Sequence, residues 1–481
     1  MKCYFMPHAP VFLPNIAGEA FDKIIQTYEA LDQISREIAV YRPDTIVIIS
    51  PHGPRFSDVL GIYNQRKYEG DLLEFGDYEN HFKFHKDEAL IAEILKVSET
   101  RNGLYYNLDD SALKNFDLPR TLDHGVLVPM YFVQKHLESF KVVCLSDGPF
   151  AWDKLIDAGS IIRKAAENLK RKIIVIASGD LSHTLSDQGP YQYHNDGPTV
   201  DKAFCDAIEN QCIEELVELP PLLIENAGIC GLGPLMMLMG IYEHKQYVSQ
   251  LRSYQGPFGV GYAVCTFEEQ GELEGLRSHR IKEKQISLVS RLRNEQHPYA
   301  QFAYRVLKER VDDPLPPVIR LLEDGYSING HFFPLNDFEL NKMMQNTRNI
   351  FVSIKSGAQL RGCIGCIDSD EAQPLYQKIA YYTWQAARYD PRFSPIEREE
   401  LPYLTVSIDI LSDFEEISGV EDLDPSIFGL LVTDGTSKGV LLPDIEGVED
   451  SVEQIRIAAQ KAAIPVDKIL KMFRFSVDRL K

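Results

Sequence analysis

The chain has 481 residues, 44% of them hydrophobic and 25% charged, which allows two or three domains with sizeable cores and excludes a disordered or fibrous protein. Asp and Glu number 71 against 50 Lys and Arg, a net charge of −21, and so acidic a surface repels phosphate backbones and anionic lipid, which argues against nucleic acid or a membrane as partner. Eight cysteines are too few for a disulfide scaffold, no apolar run reaches the ~20 residues that cross a bilayer, and no signal-peptide pattern opens the chain, so a cytoplasmic protein with reduced thiols is expected.

The elements alternate through the first half. Cys3–Met6 is a short apolar run, and apolar residues at 21, 24, 25, 28, 31, 34 and 38 follow at helical spacing. Thr45–Ser50 is β-branched and apolar without alternation, as in a strand covered on both faces. Lys141–Ser146 and Lys172–Ser178 repeat that pattern, with an amphipathic stretch from Leu155 to Leu169 between them, and Gly261–Phe267 is placed to close the sheet. Strands separated by helices predict an α/β domain with a mostly parallel sheet over residues 1–267. Residues 268–284, EEQGELEGLRSHRIKEK, are charged and lack apolar periodicity, which marks a linker at the domain boundary, with its end open to reading as the start of a helix. From 285 to 481 the rhythm is that of a smaller α+β domain. A helix is expected over Leu288–Val311, strands over Asn349–Lys355, Leu404–Leu411 and Gly439–Leu442, and helices over Pro374–Arg388 and Val452–Ala463.

Four histidines carry the chemical signal of the first domain. His8 follows the first strand, His52 the second, and His183 the strand IIVIAS, while His124 opens a helical segment in LDHGV. Loops at the carboxyl ends of parallel strands line the binding crevice of an open α/β sheet, so imidazoles from distant parts of the chain are expected to converge. Neutral imidazole suits iron, zinc, copper and nickel alike. Two other readings are weaker. Ser178, Asp180, Ser182 and His183 lie too close in sequence for a nucleophile relay and no G-x-S-x-G elbow is present. The glycines at 228, 231 and 233 lack dinucleotide-fold spacing.

The motifs PHAP, SPHGP, DHG and SGDLSH, in that order over residues 1–265, resemble the LigB-like class III extradiol ring-cleavage dioxygenases. The resemblance implies His8 and His52 as ligands of Fe(II), or of zinc or another divalent metal, with an acidic third ligand, and His124 and His183 as acid–base residues. Many relatives carry an acid at the position of Ile229, which cannot ligate. Glu225, one helical turn earlier, is the nearest substitute, and a three-histidine site recruiting His183, as in Memo-type relatives, is the rival.

In the second half, Leu360-Arg-Gly-Cys363-Ile-Gly-Cys366 offers a C-x-x-C pair, read either as a tight glycine turn with buried thiols or as a reactive Cys363. LRGCIG, ARYDPRF at 387–393, Glu400-Leu-Pro402, TVSIDIL and GVLLPDIEG at 439–447 resemble the AMMECR domain. Arg361, Cys363, Arg388 and Arg392 form its candidate site for an anion or a thiol reaction. A LigB-like domain followed by an AMMECR domain is similar to the long form of the AmmeMemoRadiSam system protein A family. Two functions follow as expectations. One is ring opening of a catechol-like or aminophenol-like aromatic by O2. The alternative is a non-oxygenase metal- or ligand-binding accessory protein with Memo-type and radical SAM partners.

Overall fold

The computed structural model describes residues 1–101, 103–334, 348–357, 359–367, 373–445, 448 and 450–481. It divides into two compact units, Met1–Gln285 and Ile286–Lys481. No single helix among the described residues is long and apolar enough to cross a membrane.

The first unit is built on ten strands: β1 (Lys2–Met6), β2 (Thr45–Ser50), β3 (Leu60–Tyr63), β4 (Tyr68–Asp71), β5 (His81–Lys86), β6 (Tyr105–Leu108), β7 (Lys141–Ser146), β8 (Ile173–Ser178), β9 (Lys245–Gln255) and β10 (Tyr262–Glu272). The main order is β4-β5-β7-β2-β8-β1-β10-β9, with β3 joining β6 to β7. The centre, β5-β7-β2-β8-β1, is parallel. β10 runs antiparallel to β1 and so closes the parallel part, and β9 adds an antiparallel edge. β2 and β8 are buried at every position, which is why both read as unbroken β-branched runs. The helices Ile25–Tyr41, His124–Gln134, Trp152–Asn168 and Leu232–Ile241 contribute buried side chains to one continuous core with the strands.

The second unit is antiparallel throughout its described strands. β11 (Ile319–Leu322), β12 (Gly325–Ile328) and β13 (His331–Pro334) form a meander. β14 (Ile350–Ser356), β15 (Gln359–Gly365), β16 (Leu404–Leu411) and β21 (Val477–Leu480) form a sheet in the order β15-β14-β16-β21. Its apolar face, with Ile350, Val352, Ile354, Val406 and Ile408, packs with the helices Pro298–Arg310 and Leu375–Arg388. A second sheet, β17 (Glu415–Ile417), β20 (Lys471–Phe475), β18 (Gly429–Thr433) and β19 (Lys438–Leu441), is covered by the helix Ser451–Lys461.

Three local expectations differ from what is found. Residues 268–284 hold the end of a strand as well as the start of a helix. β10 keeps pairing with β9 as far as Glu272, and a helix begins at Arg277 and runs to Glu295. Charged side chains hid both elements: Glu272 pairs with Lys245, and the buried Arg277 donates to the carbonyls of Tyr242 and Lys245 while lying 4.8 Å over the Tyr247 ring. The helix expected over Leu288–Val311 is two helices, because Pro298 starts a new one with His297 as its cap. LRGCIG is a strand, not a glycine turn; residues 446–447 of GVLLPDIEG lie outside the described residues.

Candidate metal centre

β2, β8 and β1 are parallel neighbours, so their carboxyl ends share one edge, and the loops leaving them deliver His52, His183 and His8 to it. His124 is the first residue of its helix, where the Asp123 carboxylate accepts the Val126 N–H as an N-cap. Cys230 comes from the bend between the short helix Pro221–Ala227, which ends on Gly228 at φ +62°, and the helix Leu232–Ile241. The Gly231 N–H donates to the Asp180 carbonyl at 3.0 Å, and a Cβ on Gly231 would lie 2.6 Å from the Phe5 ring. Only glycine lets this bend approach the strand ends so closely.

The side chains meet. His8 Nε2 and His52 Nε2 are 2.8 Å apart with their rings edge to face, and Cys230 Sγ is 3.7 Å from His8 Nε2. These three donor atoms all lie within 4.8 Å of one another. The His124 ring centroid is 4.1 Å from that of His52 and 5.5 Å from that of His8, and Phe75 packs on it at 5.1 Å. Tyr191 stands edge-on to His183 at 5.9 Å. His8 is buried, Cys230 half-buried and His52 exposed, so the cluster has a sealed inner side and a side open to ligands.

Burial sets the charge state. It depresses the imidazoles of His8, His52 and His183, in His8 assisted by the facing His52, His124 and His183, and it lowers His124 to about 4. All four are neutral near pH 7 and keep lone pairs for a cation or a proton. Burial raises the Cys230 thiol well above its ordinary value, with the Asp180 carboxylate adding to the effect. Asp180 itself is raised to about 7, although its Oδ1 accepts the His8 N–H at 2.9 Å. His183 Nδ1 is buried without a hydrogen-bond partner. The two neutral imidazoles and the thiol form a cluster of donors that could hold a metal ion. Imidazole and thiol are both donors for transition metals.

His8, His52 and His124 lie against one another, and His183 is near enough to act electrostatically on His8. Glu225 does not join them, being exposed on the helix Pro221–Ala227. The third donor among the described residues is Cys230. The signal in sequence was slight: one cysteine among eight, five residues beyond Glu225. Ser178 and Asp180, considered in sequence only as part of a nucleophile relay, instead contact His8, and Ser50, which donates to Asp123, was not singled out.

In the second unit Arg361 grips both oxygens of Glu400, at 2.6 and 2.9 Å, and donates to the Ser394 carbonyl. Arg388 donates to the Val311 carbonyl at 2.6 Å. Arg392 holds Asp390 and reaches the Cys363 carbonyl at 3.2 Å. These bonds go to carboxylates and carbonyls of the fold, while Arg388 Nε is buried without a hydrogen-bond partner among the described residues. Burial raises the Cys363 thiol, against the pull of the Ser353 hydroxyl that donates to it at 3.3 Å. Cys366 has other surroundings, with its thiol 3.9 Å from Asn349 Oδ1. The glycines serve close packing: a Cβ on Gly362 would lie 2.3 Å from the Ala386 carbonyl oxygen, and one on Gly365 2.2 Å from that of Ile350.

Comparison with known proteins agrees with both units. Residues 2–265 match the model described as the catalytic LigB subunit of aromatic ring-opening dioxygenase, and residues 327–480 match AMMECR1. Protein CA_C1420 of Clostridium acetobutylicum is 30% identical over 485 residues, covering 99% of this chain and 98% of its own. A Thermotoga maritima protein is 34% identical over 188 residues, 39% of this chain and 98% of its own. The crystal structure of the uncharacterized protein JW3007 from Escherichia coli K12 covers 56% of this chain and 99% of its own at 15% identity, with a TM-score of 0.38.

Proposed function

From a chain that belongs to the LigB family through residues 2–265 and continues into an AMMECR1 domain, the architecture of AmmeMemoRadiSam system protein A, we propose a non-oxygenase metal-binding accessory protein of a radical SAM system. The observation that carries this reading is the Cys230 thiol beside His8 and His52, where the ring-opening relatives are expected to supply a carboxylate. A thiolate is a softer and stronger donor and favours iron, zinc or copper(I). His8, His52 and Cys230 would hold such an ion, which would supply a Lewis acid there. Radical SAM chemistry is oxygen-sensitive, which favours a companion that does not consume O2. A Memo-type protein and a radical SAM protein are the partners this role implies, in the reducing cytoplasm that free thiols favour.

A second reading, extradiol cleavage of a catechol-like or aminophenol-like aromatic with Fe(II) and O2, is favoured by one observation. His124 and His183 are imidazoles kept neutral beside the donors, able to take a substrate proton and return it. One experiment separates the two. The protein is loaded anaerobically with Fe(II) or Zn(II), its metal content is measured, and O2 uptake is followed over a catechol and aminophenol panel. One metal per chain without uptake is the expected result. Uptake with ring-opened product replaces the first reading by the second, and protein that retains neither metal overturns both.

A further inference from the structure

We propose that Ser178 is a positioning residue that locks the tautomer of His8, and that the lock originates at Pro129. The inference deepens the metal-binding reading and rests on it for its purpose, but not for its geometry. In the helix His124–Gln134 the carbonyl of Gly125 would accept the N–H of residue 129, four positions on. That residue is Pro129, which has no N–H, so the helix cannot satisfy Gly125 from within. Ser178, the last residue of β8 and fully buried, donates its hydroxyl to the Gly125 oxygen at 2.5 Å. A carbonyl only accepts, so the single hydroxyl proton of Ser178 is committed there.

The same Ser178 oxygen lies 3.0 Å from His8 Nδ1. With its proton spent on Gly125, it meets Nδ1 only as an acceptor, and Nδ1 carries the imidazole hydrogen. His8 Nε2 is then a bare lone pair, aimed at His52 Nε2 and Cys230 Sγ. Outer hydrogen bonds that fix a ring in this way set the tautomer that ligates a metal. The relay runs one way, from His8 Nδ1–H to Ser178 and from Ser178 O–H to Gly125, and it also ties His8 to the helix start that carries His124. A helix-interior proline, buried and remote from any reaction, thereby decides which nitrogen of a ligand is free.

The test reads the tautomer and the affinity separately. In metal-free full-length protein labelled with 15N-histidine, long-range 1H–15N correlations identify the protonated nitrogen of His8, with the signals assigned by their loss in His8→Asn. The expected result is hydrogen on Nδ1 in the unmodified chain. Zn(II) affinity, measured by chelator competition, is expected to fall about 10–100-fold in Ser178→Ala and to return to within about threefold of wild type in Ser178→Thr, which keeps the hydroxyl. Hydrogen on Nε2 of His8, or a folded Ser178→Ala that binds zinc as wild type does, overturns the relay. If Ser178→Ala does not fold, the tautomer in the unmodified chain decides. Protein that binds no metal yet shows Nδ1–H refutes the function and leaves the relay standing. Metal bound by a chain whose His8 is Nε2–H when empty does the reverse.

Discussion

Asp147 is a buried carboxyl just beyond the end of β7, raised to about 7 by desolvation, with Arg55 at 3.5 Å offsetting part of the cost. Below its ordinary value near 3.8 the folded and unfolded chains are both protonated. Between there and 7 the unfolded chain releases a proton that the folded chain keeps, so Asp147 subtracts stability as the pH rises through that window. Asp147→Asn in metal-free protein is therefore expected to gain up to about 3 kcal/mol near pH 8 and almost nothing near pH 4, read from urea midpoints at the two pH values. The depressed imidazoles act in the opposite sense. His124, lowered to about 4, contributes stability that is complete above the ordinary value of 6.5 and lost as the pH falls toward 4. Cys230 gives a further expectation at this scale. Its thiol must lose a proton to ligate, so zinc affinity rises with pH across the neutral range, measured by competition, and Cys230→Ala abolishes that dependence. The histidines were legible in the sequence because each follows a recognisable strand or opens a helix. Cys230 was not, because nothing local separates it from the other cysteines, and Glu225 was the more obvious donor until its exposure was known.

Two helices hold the Cys230 bend in place through backbone contact. A Cβ on Gly240, in Leu232–Ile241, would lie 1.9 Å from the Ile156 carbonyl oxygen of the helix Trp152–Asn168, and one on Gly159 would lie 1.8 Å from that of Met237. The helices must separate to admit a methyl group. Gly240→Ala is expected to cost about 1–3 kcal/mol by urea denaturation despite the better helix propensity of alanine, and to weaken zinc binding because the bend that carries Cys230 leads directly into the displaced helix. The central strands were legible because burial on both faces leaves an uninterrupted apolar run. β4, β5, β6 and β9 were not, since partly exposed faces alternate or break the pattern, and β3, though buried throughout, is only four residues long. The strand character of LRGCIG was masked by glycines that read as a turn, and only the facing Ala386 and Ile350 carbonyls explain them.

Across the whole chain the two-domain architecture was legible from its motifs, while the division of labour was not. Among the described residues the candidate metal donors lie in the first unit, and the LRGCIG cysteine sits in a braced environment that keeps its thiol protonated in the second. Cys363→Ser in the full chain is accordingly expected to leave zinc stoichiometry at one per chain, measured by elemental analysis; loss of metal would reassign the site. The claim on which the account rests is that His8, His52 and Cys230 share one ion. X-ray absorption at the zinc edge of anaerobically loaded protein tests it directly. The account predicts one sulfur scatterer at about 2.3 Å with the nitrogen shell near 2.0–2.1 Å, and loss of that sulfur in Cys230→Ala. A first shell of nitrogen and oxygen alone, unchanged by Cys230→Ala, would contradict it.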